Sequence, residues 1–267
     1  SHFPRTVAPL HATWHPVVGV GTPLALLIGW LGIRYGEQVA LALPWRRLLV
    51  TTYAVTLAWT ASLALVYGPS GISRELNSYQ EYLVTARTIQ DVPAFLSGFV
   101  ARIPFSAGAE HWPIHVAGHP PAATLFFVGL VHLGLGSSFA SGCVVTLIGA
   151  GTPVAVLLTL RRLDAEDAAR RAVPFLVLAP AAIWVAVSGD AVFAAVAAWG
   201  LAALAVAATA TRSAVRWTSA ALAGVLLGLL PVLSYGLVLV GPLVLTVVVL
   251  TKGWRVVPAA AVVSLLP

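Results

Sequence analysis

Residues 111–121 contain side chains that can bind ligands or transfer protons. The stretch "HWPIHVAGHPP" places His111, His115 and His119 four residues apart, directly before two prolines. Two histidines and a carboxylate can hold a metal ion, whereas imidazole N–H groups and protonated rings bind phosphate. Because prolines and a glycine interrupt any single helix through the three histidines, the stretch favours phosphate binding over a zinc site. An ordinary polar loop explains the same residues.

Carboxylates and tyrosines alternate just upstream. The stretch "ELNSYQEY" contains Glu75, Tyr79, Glu81 and Tyr82, and a carboxylate there can act as a general base. The pattern predicts a partly apolar helix over 73–89 near the membrane surface, and "DVPAFLSGFVARI" predicts a second one that begins near Pro93. Such a loop either covers a cavity or simply connects two spans.

Asp190 is a single acid between two long apolar segments, in "VAVSGDAVFAA". Ionisable residues at the edge of the membrane are usually functional, paired or water-facing. We expect Ser188, Gly189 and Asp190 to form a turn, with Asp190 capping the next helix. A cap and a role in the site do not exclude each other.

The composition is that of a membrane protein. Hydrophobic residues make up 59% of the chain and charged residues 9%, with a mean hydropathy of +0.93, whereas soluble domains contain about 25% charged residues. The net charge of +6 comes from short clusters between apolar runs, which is typical of topology signals and excludes a nucleic-acid partner. Cys143 is the only cysteine, so no intrachain disulfide or zinc–cysteine site can form.

The apolar runs predict an all-α, polytopic transmembrane helical bundle in a single domain over 1–267. The predicted spans are 17–34, 48–67, 138–160, 172–189, 191–210, 217–233 and 235–251, with another beginning near Val256. Because the sequence stops inside that last run, we expect the C-terminal part of a longer protein to be missing. The richness in alanine, valine and arginine indicates a GC-rich bacterial source.

The distribution of basic residues predicts the orientation. If 121–136 lies along the outer interface rather than crossing, eleven basic residues fall on the cytoplasmic side: 34, 46, 47, 161, 162, 170, 171, 212, 216, 252 and 255. Only four then fall outside: 5, 74, 87 and 102. Because cytoplasmic loops are enriched in Lys and Arg, the interfacial placement is preferred. It puts the histidines and Asp190 on the extracytoplasmic side of a bacterial plasma membrane.

Several of these motifs, in this order, resemble a known superfamily. They are "ELNSY" or "QEY" in the first outer loop, "GHPPAATLFF" opening an interfacial helix, "TLRRL" ending a span, and "SGDAVFAA" at the second outer loop. Together they resemble the GT-C polytopic glycosyltransferases, in particular the protein O-mannosyltransferases and the lipid A aminoarabinose transferase. The resemblance covers about 48–236 and leaves 17–34 as an extra N-terminal span. The "HxxGHPP" form is similar to actinobacterial membrane proteins of this superfamily.

The resemblance implies a GT-C fold and a glycosyltransferase in the cell envelope. The donor would be a sugar on a polyprenyl phosphate among the membrane lipids, and the acceptor a glycan or a protein. Glu81, or else Glu75, would be the base, and Asp190 would orient it or the acceptor. These outer-face acids would also hold a divalent cation (Mg²⁺ or Mn²⁺) if one is used. In-line attack at the anomeric carbon would invert its configuration.

The resemblance also implies which side chains contact the donor. His115, His119 and Arg102 would stabilise its phosphate. Tyr79, Tyr82 and Tyr235 would line the substrate pocket.

Two other functions fit the same residues. A transporter or flippase for a lipid or small anion would also place ionisable groups among broken helices. A catalytically inactive GT-C-like assembly subunit would keep the fold. That alternative stays open because no Asp-Glu pair precedes the tyrosine, as it does in the GT-C branch named above.

Overall fold

The computed structural model describes residues 15–265, and these are helical without any β-strand. The α-helices are α1 (Thr22–Ala42), α2 (Trp45–Ala64), α3 (Tyr82–Ala86), α4 (Val92–Gly98), α5 (Ile114–Gly118), α6 (Pro121–His132), α7 (Ser138–Gly149), α8 (Thr152–Arg162), α9 (Glu166–Val177), α10 (Ala182–Val185), α11 (Gly189–Thr209), α12 (Ser213–Leu233), α13 (Gly241–Thr251) and α14 (Val257–Val263). Short 3-10 turns cover Leu65–Tyr67, Pro69–Ile72, Glu75–Asn77, Val100–Arg102, Phe105–Glu110, Tyr235–Val240 and Trp254–Val256. The predicted all-α class is therefore confirmed.

Four helical segments of the described chain are long and apolar enough to cross a membrane. They are Trp45–Tyr67, Ser138–Arg162, Gly189–Thr209 and Ser213–Leu233, and they correspond to four of the predicted spans. Helix α11 is the central one, because it packs against α7, α8, α12 and α13. These segments give the chain the character of a membrane protein.

The remaining predicted spans differ from the structure. Helix α1 begins at Thr22 and continues to Ala42, so it includes Arg34 and Glu37 and is not among the four apolar spans. The predicted span 172–189 is broken: α9 ends at Val177, a turn at Pro180 follows, and α10 has four residues. The predicted span 235–251 begins as a 3-10 turn before α13.

The basic clusters lie together at one end of the bundle. Arg170 Nη1 donates to the carbonyl oxygens of Ala40 (2.7 Å) and Leu43 (2.9 Å), which holds α9 against the α1–α2 turn. One cavity is lined by both Arg161 and Thr209, so the α8–α9 turn lies beside the end of α11. We call this the basic end and the other the site end. These contacts agree with the predicted grouping, except that Arg34 lies inside α1 rather than in the turn after it. The cytoplasmic orientation stays a prediction.

The region 68–120 folds into short helices at the site end. The single helix predicted over 73–89 is wrong: a 3-10 turn ends at Asn77, and α3 starts only at Tyr82. The second predicted helix is confirmed as α4, where the Asp91 side chain accepts a hydrogen bond from Ala94 N at 3.0 Å and Pro93 lies in the first turn. Helix α6 follows and has 12 residues, about 18 Å of rise, which is too short to cross a bilayer.

Candidate functional site

A buried carboxylate and a half-exposed histidine form the centre of the site. Glu81 is the residue before α3 and is only 4% exposed. Its Oε1 lies 2.8 Å from Nδ1 of His115 in α5, and the His115 side chain is 45% exposed. Because Nδ1 contacts the carboxylate, Nε2 is the ring nitrogen available to a substrate. The carboxylate therefore orients the imidazole.

Gln80 helps to position this pair. Its side-chain Oε1 accepts a hydrogen bond from the backbone N–H of Ile114, at 3.2 Å. Ile114 is the first residue of α5, whose first N–H groups have no partner within the helix. The bond therefore fixes the start of the His115 helix against the chain that carries Glu81. Sequence analysis missed Gln80, although its position next to Glu81 was a usable signal.

Aromatic rings enclose the inner side of the pair. Tyr82 is 3% exposed and stacks on Phe127, with ring centroids 5.7 Å apart and planes at 10°. It meets His119 and Phe193 edge-on, at 5.6 and 6.3 Å. His119 is held by a bond of 3.0 Å between its Nδ1 and the carbonyl oxygen of His115. Such packing excludes water, which strengthens electrostatic interactions at the site.

Burial changes the proton affinity of two groups. Desolvation raises the pKa of Glu81 above its ordinary value, although the nearby His115 lowers it, and the charges of Glu75 and Asp190 raise it further. Burial, with the charges of Glu81 and Asp190, also raises the pKa of Tyr82. A carboxyl group whose pKa is raised toward neutrality holds a proton more readily, as a general acid or base must.

Asp190 lies at the start of α11, but it is not the cap. The N-cap residue is Ser188, and Asp190 is in the first turn of the helix, so the predicted capping role is wrong. An acid in the first turn still interacts favourably with the helix dipole. Asp190 is exposed, and its carboxylate is close enough to affect the pKa of Glu81. The structure therefore brings Asp190 to the site.

The backbone that delivers Asp190 is strained. Val187 is 1% exposed and has φ of 71°, a conformation that costs about 1–3 kcal/mol for a residue with a side chain. It packs against Gly142 of α7, where an added Cβ would lie 3.0 Å from Val187 Cγ1. An added Cβ on Gly189 would lie 3.0 Å from Tyr82 Cε2. The first residue of α11 therefore packs closely against the Tyr82 ring.

The other predicted residues are more scattered. Glu75 and Tyr79 are exposed at the 3-10 turn and just after it, and the charge of Glu75, like that of Asp190, is close enough to raise the pKa of Glu81. The Nε of Arg102 donates to the carbonyl oxygen of Glu110 at 2.6 Å, and its guanidinium lies 3.4 Å from the Trp112 ring centroid. These contacts engage the Arg102 guanidinium within the 68–120 region.

The remaining two candidates have other surroundings. His111 stacks on Phe105 at 4.5 Å. Tyr235 is exposed at the start of a 3-10 turn that follows α12.

A second polar network at the site end was not predicted. Arg87 donates to the carbonyl oxygen of Gly136 (2.9 Å) and to Ser138 Oγ (2.7 Å), and Ser138 in turn bonds the side chain of Asn77. The network joins the end of α3 to the start of α7. It thereby fixes the chain on both sides of Glu81 and Tyr82 against α7.

Within residues 15–265, no three His, Cys, Asp or Glu side chains stand together in a way that could hold a metal ion. Comparison of the chain with models of protein families, with curated proteins and with solved structures finds no match in any of the three.

Proposed function

We propose that the chain is a membrane glycosyltransferase of the GT-C type that uses a polyprenyl-phosphate sugar at the extracytoplasmic face of a bacterial plasma membrane. The observation that carries this proposal is the Glu81–His115 pair, in which a buried carboxylate contacts a half-exposed imidazole at the end of the bundle opposite the basic clusters. Glycosyl transfer to a hydroxyl group uses such a pair, because a base must take the proton of the attacking oxygen. The resemblance of the motifs to the GT-C superfamily supplies the reaction class.

In this proposal the pair, rather than Glu81 alone, transfers the proton. His115 is the exposed partner and Glu81 the buried one. As the acceptor oxygen bonds to the anomeric carbon, its proton passes to Nε2 of His115, and Glu81 stabilises the imidazolium that forms. The bond from the anomeric carbon to the phosphate oxygen breaks, and its electron pair leaves with the phosphate. The configuration at the anomeric carbon inverts.

The neighbouring residues take supporting roles. His119 lies beside Tyr82 and His115, where its Nε2 can donate to the leaving phosphate when the ring is protonated. Asp190 orients the acceptor at the start of α11, and exposed Tyr79 contacts the substrate from the loop. Arg102, by contrast, is bound to Glu110 and Trp112 and has no role in this mechanism.

The test compares variants that change the Glu81–His115 contact with a control variant that leaves it intact. Membranes containing wild type, Glu81→Gln, His115→Ala or His111→Ala are supplied with radiolabelled polyprenyl-phosphate sugars, and transfer to endogenous acceptors is measured. We expect the first two variants to lose at least about a hundredfold in rate, as for other acid–base residues. His111→Ala should keep full activity because His111 stacks on Phe105 away from the pair.

Two outcomes would contradict the proposal. If wild type transfers sugar but Glu81→Gln and His115→Ala remain as active as His111→Ala, the pair is not the catalytic site. If wild type transfers nothing from any donor, transport of a lipid or anion, or an assembly role, replaces the enzyme.

A further inference from the structure

A small cavity at the basic end collects three cationic side chains. Its volume is about 300 Å³, and it is lined by Ala208, Arg216, Lys252, Gly253, Arg255 and Val256. The lining contains no carboxylate. It lies where the spanning helices α11 and α12 meet the end of α13, and therefore at a boundary between membrane and water.

The charges in this cavity are not neutralised by the protein. Residues 191–265 contain no aspartate or glutamate, and none of the ion pairs in the described part of the chain includes Arg216, Lys252 or Arg255. The neighbouring cavity differs, since its Arg161 is paired with Glu166 at 2.8 Å. Three like charges that converge without an acid repel one another, and a bound anion would relieve that repulsion.

The backbone holds Lys252 in this place at a conformational cost. Lys252 is the only lysine of the chain, and it ends α13 in the left-handed conformation, with φ 52° and ψ 33°. Glycine is the usual residue there, because a Cβ is unfavourable in that conformation. The next residue, Gly253, is fixed by close packing, since an added Cβ would lie 2.5 Å from Ala208 Cβ. The turn therefore presents a lysine where a glycine would be more stable.

We propose that this cavity binds a phosphate group, carried either by an anionic lipid or by a soluble phosphate ester. Arginine forks match phosphate oxygens, and lysine contributes a compact charge. Arg216 is already oriented by the bond from its Nη2 to the carbonyl oxygen of Ala210, at 2.8 Å. Basic pockets at the ends of membrane helices bind lipid headgroups by the same contacts. The site lies at the opposite end from Glu81 and does not depend on the proposed glycosyl transfer.

The experiment is a calorimetric titration of the purified full-length protein in neutral detergent. The two probes are dioctanoyl phosphatidylglycerol and glycerol 3-phosphate, and wild type is compared with Lys252→Gly and Arg212→Ala. We expect saturable binding to wild type and about fivefold weaker binding to Lys252→Gly, the usual effect of one cation near a lipid phosphate. Arg212 precedes α12 at the same end and is exposed outside the cavity, so its removal should change binding little.

A second readout separates binding from folding. Lys252→Gly should raise the melting temperature while it weakens binding, because glycine adopts φ of 52° without a clash. A damaged fold would lower both the melting temperature and the binding affinity. If the lipid binds at least tenfold more tightly than glycerol phosphate, the phosphate comes from the bilayer; similar affinities indicate a soluble ester. If neither probe binds saturably, or if Arg212→Ala weakens binding as much as Lys252→Gly, the proposal is wrong.

Discussion

The Glu81→Gln variant should lose glycosyl transfer. Its stability relative to wild type should increase as the pH rises. Burial raises the pKa of Glu81 in the folded protein above its ordinary value of 4.5. The folded state therefore keeps its proton to higher pH than the unfolded state does. Above about pH 4.5, ionisation favours unfolding, and this contribution to stability is lost progressively until the pH passes the raised pKa. Glutamine does not ionise and does not suffer this loss.

The size of the effect follows from two opposing contributions. Each pH unit over which only the folded state holds the proton costs wild type about 1.4 kcal/mol. The 2.8 Å contact with His115 is weaker with an amide than with a carboxylate, by about 1 kcal/mol. That second difference is a nearly constant offset once Glu81 is ionised. The change of the stability difference with pH therefore measures the net rise in the pKa of Glu81, in which burial outweighs the contact with His115.

The assay is the apparent melting temperature in detergent at half-unit steps from pH 4.5 to pH 8. The difference between Glu81→Gln and wild type should rise with pH and then level off. Glu110→Gln is the matched control, since it makes the same change of side chain at an exposed carboxylate of the same loop. The rise with pH should be specific to Glu81→Gln. A Glu81→Gln difference that stays flat or falls with pH would show that burial does not outweigh the contact with His115, and the reasoning would fail.

Two further predictions concern the fold. Arg170→Ala should lower the free energy of unfolding by about 2–3 kcal/mol, because the carbonyls of the α1–α2 turn lose their donor; Arg171→Ala, in an exposed pair, should cost under about 1 kcal/mol. Gly142→Ala should cost about 1–3 kcal/mol, since its Cβ would lie 2.0 Å from a backbone oxygen, whereas Gly129→Ala on the open face of α6 should gain about 0.5–1 kcal/mol. Melting curves of each pair check both, and equal shifts within a pair would contradict them.

The spans were predictable where composition alone decides the structure. Uninterrupted apolar runs such as 191–210 have no alternative to a helix in a membrane, and the structure has α11 there. The predicted span 172–189 is wrong because Pro180, which has no backbone N–H, lies in the turn between α9 and α10, whereas α9 accommodates Pro174. The segment still passes from the basic end at Arg170 to the site end at Gly189. The direction in which the chain runs through the bundle was therefore predictable. The sequence also contains a signal for the break, Pro180, but the prediction relied on hydropathy alone.

The site was predictable in its residue types but not in its pairing. Nothing local distinguishes buried Glu81 from exposed Glu75, because their different burial depends on contacts more than thirty residues away, at His115 and Phe127. Arg102 illustrates the converse. Its charge suggested phosphate binding, whereas a carbonyl only eight residues ahead in the chain and the Trp112 ring satisfy it.

Val187 shows why the entry to α11 could not be read from sequence. A β-branched residue is among the least expected at φ of 71°, so no propensity argument places one there. The conformation exists because Val187 is wholly enclosed in the core around Tyr82 and Phe127, next to the space left by Gly142. Burial of this side chain stabilises the fold by about 1.5–3 kcal/mol, which offsets strain of similar size. The same strained turn carries Gly189 onto Tyr82 and brings the Asp190 charge near enough to Glu81 to raise its pKa. Packing between distant segments therefore sets the electrostatics of the candidate site.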